Sequence, residues 1–499
     1  MNQEENLDFI ILKYGNSTDF QISLEAWRRG LEVSYFKKSG ELYYRIKSQN
    51  KTHCFYRSGL MDDEMSVLAH EICLNKEETK KYLSREKIKI PRGKRFEPHY
   101  SDDEIVRYAK LIGYPLVLKP TDGHFGIGVF SNIRDEKTLI RYLTYVRQDL
   151  KFGDIIIEER IEGDDLRVFV VGDEVVAATI RLPANITGNG KDSIKRLIKL
   201  KNTERKRNPR LSKSPIKYDM EIQDSIRSIG YTMKSIPPKG VRLNLRNKCN
   251  ISAGGDSVDV TEELPMHIKH MAIQAVKAIP GLYHGGVDVL YDIKNPESSG
   301  TIIEINSQAR ISIHLYPSEG IPRDIPAALI DYYFPESIPN KGKNRNLFYD
   351  RRSTIYALDK DPAEEYTLPS APEQEVVPRE IIVSGVVHGV GYRKWAKNQA
   401  LKLNISGFAE NLRFKKVRII VAGNNNDINT FIKLCKKGPE KARVDDVEVL
   451  DYTNPIMTGF KIKHNTLMTK ALKLSKQIIL CLPPSMIVSC KKIISRLRV

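Results

Sequence analysis

A short strand-like segment that ends in two oxygen-bearing side chains is the feature that most constrains this chain. In Ile302-Ile303-Glu304-Ile305-Asn306, the two-residue period of a β-strand places Glu304 and Asn306 on the same face. Asp288 lies in a second strand-like run at residues 285–290. Two carboxylates and one amide carbonyl are hard oxygen ligands of the kind that Mg²⁺ prefers, with phosphate oxygens completing the coordination. The pattern predicts a metal site at Asp288, Glu304 and Asn306; ordinary polar residues at strand ends are the alternative.

A lysine at the end of an apolar run, followed by a glycine-rich loop, predicts a phosphate-binding site upstream. Lys119 ends the run, and the loop carries Gly123, Gly126 and Gly128. Glycines allow backbone N–H groups to close around phosphate, and the lysine supplies positive charge. The lysine precedes the loop, which is not the P-loop order, and the loop does not clearly open a helix as a dinucleotide-binding turn does.

A third strand-like run, at residues 155–157, leads into Glu158 and, seven residues further on, Asp165. The order of strand with lysine, glycine loop, strand with glutamate and Asp…Glu-x-Asn resembles the ATP-grasp family over roughly residues 70–335. It is closest to the amino-acid-ligase branch that includes cyanophycin synthetase and the bifunctional glutathione synthetase. Further stretches that carry the resemblance are residues 75–80, 181–190, 246–255 and 314–320.

The resemblance implies roles for particular residues. Lys76 and Lys119 would contact the phosphates of ATP beside the glycine loop, and Asp288, Glu304 and Asn306 would hold Mg²⁺, with Mn²⁺ as the alternative ion. The other implied nucleotide and substrate contacts are Glu158 and the backbone of Ile161 at the adenine, Asp165 at the ribose, Arg181 and Arg246 at a phosphate or a substrate carboxylate, and Ser252 with Gly254 and Gly255 around the substrate.

One position departs from the family. The asparagine is often followed by a Pro-Gly turn, but here Ser307-Gln308-Ala309-Arg310 stands in its place. The change from glycine to Arg310 adds charge and removes backbone freedom. Arg310 either binds a substrate carboxylate or pairs with a nearby acid.

A second constellation starts at Ile381. A strand-like run leads through Gly389 and Gly391 into Arg393, which opens a predicted helix, and Asn411 ends the next strand-like run. Backbone N–H groups at a helix N-terminus bind anions, and a guanidinium clamps phosphate with two donors. The segment resembles acylphosphatase over roughly residues 379–464. The resemblance implies that the loop amides of residues 388–392 and Arg393 bind an acyl phosphate and that Asn411 orients the attacking water.

This segment departs from its family at two places. His388 replaces the usual glutamine of the loop, and Phe414-Lys415 replaces the Asp-Gly turn that usually follows the asparagine. The second change bears on the hairpin and hence on how firmly Asn411 is held. An inactive binding module is the alternative interpretation.

The length of the chain limits the number of domains that it can form. The 499 residues suffice for about three domains. We predict an α+β protein in which an ATP-grasp fold with a small α/β lead-in domain precedes a ferredoxin-like (βαββαβ) acylphosphatase domain. The predicted boundaries are 1–72 for the lead-in domain, 73–335 for the ATP-grasp domain, 336–378 for a Pro-rich linker, 379–464 for the acylphosphatase-like domain and 465–499 for a basic tail.

The net charge of +18 suits ATP, acyl phosphates or acidic peptides, and also nucleic acid or an anionic membrane. Lys and Arg are spread widely, so we expect no nucleic-acid partner, while the basic tail leaves peripheral membrane contact open. The six cysteines form no Cys-x-x-Cys and have no histidine cluster beside them, which argues against zinc and a disulfide framework. The N-terminus lacks an apolar signal core, and no apolar run is long enough to span a membrane, so a cytoplasmic protein is expected.

The sequence favours an ATP-dependent carboxylate–amine ligase that works through an acyl phosphate on small amino-acid or peptide substrates, with a fused hydrolase of acyl phosphates. Two rivals remain at this stage. In one, acylphosphatase is the principal activity and the ligase is degenerate. In the other, the chain is a basic protein that binds nucleic acid or a membrane surface. Neither the substrates nor the oligomeric state follow from the sequence.

Overall fold

The computed structural model describes residues 18–121, 128–246, 248–360 and 365–463. These residues fall into two compact units. Within the described ranges, one unit contains residues 24–35 and 337–463, and the other contains residues 18–23 and 36–336. Among the described residues, no helix has the length and apolarity needed to cross a membrane.

The strands occur throughout both units. In chain order they are β1 (Glu32–Lys38), β2 (Glu41–Lys47), β3 (Thr52–Tyr56), β4 (Gly59–Leu60), β5 (Gly93–Phe96), β6 (Leu116–Pro120), β7 (Phe130–Ile133), β8 (Ile155–Glu159), β9 (Asp164–Val171), β10 (Glu174–Leu182), β11 (Asn185–Thr187), β12 (Arg242–Asn244), β13 (Asp256–Asp259), β14 (His284–Tyr291), β15 (Thr301–Asn306), β16 (Leu347–Phe348), β17 (Glu365–Thr367), β18 (Val377–Val386), β19 (Ser406–Asn411), β20 (Lys416–Gly423), β21 (Arg443–Asp451), β22 (Ile456–Met457) and β23 (Phe460–Ile462).

The α-helices lie between groups of these strands. In chain order they are α1 (Thr18–Arg28), α2 (Glu64–Leu74), α3 (Lys76–Arg85), α4 (Asp102–Ile112), α5 (Glu136–Thr144), α6 (Ile194–Arg205), α7 (Met220–Ser228), α8 (Met266–Lys277), α9 (Ser312–Leu315), α10 (Ile325–Tyr333), α11 (Arg351–Lys360), α12 (Tyr392–Lys402) and α13 (Asn425–Lys437). Short 3₁₀ turns occupy Leu211–Lys213, Ile251–Ala253 and Pro335–Asn340, and a π-helical turn follows α5 at Tyr145–Asp149.

The largest sheet of the 36–336 unit has the order β13-β10-β9-β14-β15. Its strands pair antiparallel, and β14 is buried along nearly its whole length because it lies between β9 and β15. Helix α8 packs against this sheet with Ile268, Ala272 and Val276. A run of apolar residues that is buried on both faces behaves as a central strand. The polar residues of β14 are therefore flanked by paired strands on both sides.

A second antiparallel sheet of the same unit has the order β5-β8-β6-β7. Helices α4 and α5 cover it, and their buried faces share a core with the isoleucines and leucines of β6 and β8. Helix α4 begins with a capping box in which Ser101 and Glu104 satisfy each other's backbone N–H groups.

Helix α2 crosses the predicted boundary between the lead-in and ATP-grasp domains. The boundary was placed after residue 72, but α2 continues to Leu74, and residues 36–336 form one unit. Ala69, Ile72 and Cys73 of α2 share a core with residues of β9, β14 and β15. The structure therefore differs from the predicted division at this point, since an apolar helix face is buried where a boundary was expected.

The 377–463 part of the other unit has the order strand, helix, two strands, helix, strand, running β18-α12-β19-β20-α13-β21. This is the predicted βαββαβ order. The sheet has the order β21-β18-β20-β19-β23, and both helices contribute buried residues to its core, among them Ala396 and Phe431.

The segment 336–378, predicted to be a linker, has structure of its own. It contains β16, α11 and β17, and it packs within its unit on residues 24–35. The indole N–H of Trp27 donates to the carbonyl of Pro369 at 2.7 Å, and the hydroxyls of Tyr35 and Tyr349 are 2.8 Å apart. The prolines that suggested a linker are interleaved with buried apolar residues, such as Leu347 and Leu368, which make a core possible.

Candidate functional sites

The strand register brings the predicted metal residues of the large sheet together. Asp288 of β14 is paired directly with Glu304 of β15 on one side and with Arg167 of β9 on the other. Directly paired residues of antiparallel strands point to the same face. Asn306 is paired with Gly286 and shares the face of Glu304 by the two-residue period. The sheet therefore presents two carboxylates, an amide and a guanidinium side by side.

Asp288 is buried and accepts hydrogen bonds from two arginines. Nη2 of Arg167 and Nη2 of Arg181 each lie 3.0 Å from its Oδ2, and Nε of Arg167 bonds to the other oxygen. Burial acts to raise the pKa of Asp288, but the two guanidiniums outweigh it, so the pKa lies below its usual range. The carboxylate is thus held ionised by cations that a phosphate group could also contact.

Asp165 pairs with Arg181 in the same cluster. Nε of Arg181 lies 2.9 Å from Oδ1 of Asp165, and Nη2 contacts the same oxygen. Burial raises the pKa of Asp165, the charge of Asp288 adds to this, and Arg181 opposes it. In this state Asp165, the residue predicted to meet the ribose, is the partner of an arginine that also holds Asp288.

The donor set at this point fits a hard divalent cation. Among the residues that the structure describes, no group of three His, Cys, Asp or Glu side chains is placed to hold a metal ion. The predicted set has two such side chains, Asp288 and Glu304, with the amide of Asn306 as its third member. Nδ2 of Asn306 is buried without a hydrogen-bond partner in the described part of the chain. A buried polar group usually has a partner, so the unmet donor of this amide suits an acceptor such as a phosphate oxygen, while its Oδ1 is the atom that would bind a metal ion.

The predicted nucleotide residues Lys119 and Glu158 meet on the smaller sheet of this unit. Nζ of Lys119 lies 2.7 Å from Oε2 of Glu158, and Nζ of Lys80 contacts the other carboxylate oxygen. Glu158 is 3% exposed. Burial acts to raise its pKa, and the two lysines outweigh that effect and lower it. The sequence analysis did not identify Lys80. It lies four residues after Lys76, which places both lysines on one face of helix α3, and this spacing could have indicated its role.

The segment between β6 and β7 is described only at its ends. Nζ of Lys76 donates to the carbonyl of Thr121 at 3.1 Å. Gly128 has φ +72°, and a Cβ there would lie 2.8 Å from Cγ of Pro120, so the position requires glycine. Gly123 and Gly126 lie outside the described residues.

Ile161 follows the end of β8. Its backbone makes no hydrogen bond with any residue in the described ranges. A free backbone N–H and C=O at this position can serve the predicted contact with a planar base.

Arg246 lies apart from the cluster around Asp288. Its guanidinium pairs with Asp219 and Glu221, and Nη2 lies 3.3 Å from the carbonyl of Lys217. A cavity of about 320 Å³ opens beside Arg181, and Arg246 does not line it. The structure thus groups Arg181 with the carboxylates and leaves Arg246 in a separate ion-pair network.

The loop before α12 forms the second candidate site. Gly389 and Gly391 both have φ +76°, and Gly391 caps α12 without a side-chain hydrogen bond. The N–H groups of the first helical turn therefore have no side-chain acceptor. Arg393 is the second residue of the helix, and its Nη1 lies 3.2 Å from the carbonyl of Lys463. The loop glycines and Arg393 thus lie next to each other at the start of α12, and an anion site there stays a prediction.

Asn411 is the last residue of β19 and is paired with Val417 of β20. The hairpin that joins these strands turns through Phe414 and Lys415, whose φ values are +59° and +54°. His388 of the loop contacts the carbonyl of Lys416 through Nε2 at 2.8 Å. The hairpin forms although the usual Asp-Gly is absent. His388 connects it to the loop at residues 388–392, which we call the anion loop.

Two family models match separate parts of the chain. The family model described as Acylphosphatase matches residues 379–462, and the one described as RimK-like ATP-grasp domain matches residues 73–192. Cyanophycin synthetase from Trichormus variabilis is 36% identical over 282 residues, which are 55% of this chain and 30% of that protein. Glutathione biosynthesis bifunctional protein GshAB from Desulfotalea psychrophila is 32% identical over 277 residues, which are 54% of this chain and 35% of that protein.

The crystal structure of a bifunctional glutathione synthetase from Pasteurella multocida is 27% identical with a TM-score of 0.47, and the alignment covers 59% of this chain and 41% of that one. The chain thus spans about a third of the length of the curated relatives it matches. Both predicted resemblances, and the α+β class with an ATP-grasp fold followed by an acylphosphatase fold, are confirmed. The chain joins a RimK-like ATP-grasp domain, related to cyanophycin and glutathione synthetases, to an acylphosphatase domain.

Proposed function

We propose that this protein is an ATP-dependent ligase that joins a carboxylate to an amine through an acyl phosphate, and that its acylphosphatase domain hydrolyses acyl phosphates. One observation carries the ligase proposal. Asp288 is paired with Glu304 and with Arg167 across the central strands of a chain that contains an ATP-grasp domain. Buried charges that shift each other's pKa cluster at functional sites, and in an ATP-grasp domain this supports a phosphoryl-transfer site.

The lysines supply the positive charge that ATP phosphates require. Lys119 and Lys80 share Glu158 as their acidic partner, and Lys76 lies at the start of the same helix as Lys80. Because these cations are held in place before the nucleotide binds, they need little reorganisation when phosphate oxygens arrive. We assign the adenine and ribose contacts to Glu158, Ile161 and Asp165.

Asp288, Glu304 and Asn306 would hold a divalent cation, with Mg²⁺ the best match to an all-oxygen donor set and Mn²⁺ the alternative. When bound, such an ion neutralises charge on the phosphoryl group being transferred. Arg167 and Arg181 stand beside Asp288 and can stabilise the negative charge of the acyl phosphate and of the departing phosphate. Arg246 would reach a phosphate or a substrate carboxylate only after its pairs with Asp219 and Glu221 rearrange.

The carboxylate substrate is proposed to be an amino acid or a small peptide. Two relatives are named for the synthesis of cyanophycin and of glutathione. The reaction then consumes ATP, a carboxylate and an amine and releases ADP, phosphate and an amide.

The acylphosphatase site is proposed to be active in its own right. The loop amides at residues 388–392 and Arg393 would bind the phosphate group, and Asn411 would position the attacking water. Water then cleaves the acyl phosphate to a carboxylate and inorganic phosphate. The intact helix start and hairpin, rather than the identity of the turn residues, favour activity over a binding-only module.

Two assays on the full chain test the proposal separately. ADP release in the presence of Mg²⁺, ATP, free amino acids and dipeptides should require both a carboxylate and an amine. Hydrolysis of benzoyl phosphate should proceed without ATP. ADP release that never depends on an amine would contradict the ligase proposal, and a folded protein that leaves benzoyl phosphate intact would contradict the second.

A further inference from the structure

The turn that follows β15 comes directly after Asn306, the third member of the predicted metal set. It runs Ser307-Gln308-Ala309-Arg310 and contains no proline, so no ring restrains its backbone. Strand β15 lies at the edge of its sheet, and within the described residues the sheet supports Asn306 from β14 alone. The position of the Asn306 amide therefore depends on what holds this turn.

Helix α2 holds the turn through one histidine. Nδ1 of His70 lies 2.8 Å from Oγ of Ser307, and Nε2 of Gln308 lies 3.2 Å from Nε2 of His70. Ser307 is 6% exposed, and His70 is half-buried. Both ring nitrogens of His70 are thus bonded to consecutive residues of the turn.

The direction of these hydrogen bonds follows from the charge state of His70. Burial, and then the charge of Arg57, lower the pKa of His70, so the ring is neutral at pH 7 and carries one N–H. With the amide of Gln308 placed to donate to Nε2, the proton is on Nδ1, which donates to the hydroxyl oxygen of Ser307. A nucleophilic serine has the opposite arrangement, in which its O–H donates to the histidine. The pair therefore suits holding the turn and does not suit nucleophilic attack.

The hairpin formed by β3 and β4 supports the same turn. Oγ of Ser58, which is fully buried, donates to the carbonyl of Ala309 at 2.9 Å. A Cβ at Gly59 would lie 2.9 Å from Cγ of Gln308 and 3.1 Å from the carbonyl oxygen of Ser307, so this close approach requires glycine. The turn is thus fixed by contacts that join residues 237 and 251 positions apart in the chain.

We propose that His70 is a positioning residue of the ligase site, because it holds the turn after Asn306 and so sets where the amide of Asn306 meets the metal ion. Groups that orient metal ligands typically contribute about 10–100-fold to metal affinity. This inference rests on the proposed function, in which Asp288, Glu304 and Asn306 hold the divalent cation.

Nucleotide binding with and without Mg²⁺ tests this role and requires no turnover. The dissociation constant of a non-hydrolysable ATP analogue is measured calorimetrically on the full chain, once with saturating Mg²⁺ and once with a chelator. The ratio of the two constants is the Mg²⁺ gain. His70→Leu removes both hydrogen bonds at similar side-chain size and should lower the Mg²⁺ gain about tenfold, with the affinity in chelator unchanged. His70→Asn keeps a polar group near the position of Nδ1 and should restore most of the gain.

Ile72→Val and His270→Leu are the matched controls. Ile72→Val removes a buried methyl group from the same helix, so it should lower the unfolding temperature and leave the Mg²⁺ gain unchanged. His270→Leu makes the same substitution at an exposed histidine of α8 and should change neither quantity. Gln308→Leu removes one of the two hydrogen bonds of His70 and should lower the Mg²⁺ gain by about threefold, the factor that one neutral hydrogen bond contributes.

Three results would overturn the positioning role. The first is an unchanged Mg²⁺ gain in a folded His70→Leu protein, or in Gln308→Leu if His70→Leu does not fold. The second is an equal loss of the gain in Ile72→Val, because helix packing alone would then explain the effect. The third is a Mg²⁺ gain in His70→Asn no larger than that in His70→Leu, because the contact with Ser307 carries the inference.

Glu304→Ala separates this inference from the proposed function. If the wild type shows no Mg²⁺ gain, or if Glu304→Ala keeps the full gain, the proposed metal site fails and the positioning role fails with it. If Glu304→Ala loses the gain while His70→Leu keeps it, the metal site stands and only the positioning role fails.

Discussion

The two candidate sites of this chain are assembled in opposite ways. In the ligase sheet, Arg167 and Asp288 are neighbours although they are 121 residues apart in the chain, and both are largely withdrawn from water. In the acylphosphatase domain, the anion loop, Arg393 and Asn411 all fall within residues 388–411, and the loop glycines are exposed. A site built across strands depends on the whole sheet, whereas a site built along one loop depends on its own backbone geometry.

The two sites also differ in how their charged groups are compensated. The ligase site buries Asp288 and Glu158 and compensates each of these two carboxylates with two cations. The acylphosphatase site uses backbone amides and a half-buried arginine. Buried ion pairs are costly to break, while amides at a helix start need no partner to remain folded. Removing one charged side chain from the ligase site should therefore lower both its activity and the stability of the fold. Removing Arg393 or Asn411 from the acylphosphatase site should mainly lower its activity.

The largest effect is expected at the metal face of the ligase sheet. Glu304→Ala should lower amine-dependent ADP release about a thousandfold or more, because several kcal/mol of charge stabilisation on the phosphoryl group would be lost. Benzoyl phosphate hydrolysis should not change. The exposed Glu297→Ala serves as the matched control and should keep full ADP release. Retained turnover in Glu304→Ala would remove this residue from the metal site.

The acylphosphatase site should respond to two variants in two different ways. Arg393→Ala should lower kcat/KM for benzoyl phosphate about a hundredfold or more, chiefly through KM, because a charge-assisted phosphate contact is lost. Asn411→Ala should lower kcat more than it raises KM, since this residue positions water. The neighbouring exposed Lys394→Ala is the control. A change in KM alone for both variants would favour the binding-module interpretation.

The local site was the easier of the two to predict from the sequence. Its residues are close in the chain, so one motif shows the loop, Arg393 and Asn411 together. In the ligase sheet, the acids were found because each ends or follows an apolar run, but Arg167 and Lys80 were missed. Their roles depend on strand register and helix facing, which bring distant residues together and leave little trace in local composition.

The division of the chain was less predictable for a related reason. Prolines marked residues 336–378 as a linker, yet apolar residues spaced among them, such as Leu347 and Phe348, are buried. Whether such residues find a surface to pack on depends on residues 24–35, more than 300 positions away. Local composition carries no information about that partner.

A smaller effect, on stability as well as rate, is expected at the nucleotide lysines. Lys119→Met leaves buried Glu158 with Lys80 alone, which should destabilise the protein by about 1–3 kcal/mol and slow ADP release. The folded-state pKa of Glu158 lies below the usual value of a glutamate, about 4.5, so the stability that this carboxylate contributes is present above about pH 4.5 and is lost as pH falls through the folded-state pKa. Denaturant unfolding at pH 7 and pH 3 should show the larger difference from wild type at pH 7.

Two controls isolate the charge on Glu158. Lys81→Met removes an exposed lysine from the same helix and should have little effect on unfolding at either pH. Adding Glu158→Gln to Lys119→Met should recover part of the lost stability, because the uncompensated charge is gone. A destabilisation by Lys119→Met that is equal at both pH values would mean that packing, and not the ion pair, is responsible.

The smallest effect is expected in the hairpin that holds Asn411, and it tests whether a local site depends on its own turn. Phe414 and Lys415 both adopt left-handed backbone angles, which cost a residue with a Cβ about 1 kcal/mol each. Phe414→Asn with Lys415→Gly restores residues that favour this turn, so hydrogen exchange of β19 and β20 should slow by about tenfold. Lys416→Gly, one position further in the strand, should speed it instead. If hydrogen exchange in the double variant is no slower, the turn does not limit the stability of the hairpin. If that variant nevertheless hydrolyses benzoyl phosphate faster, the turn affects the placement of Asn411 instead.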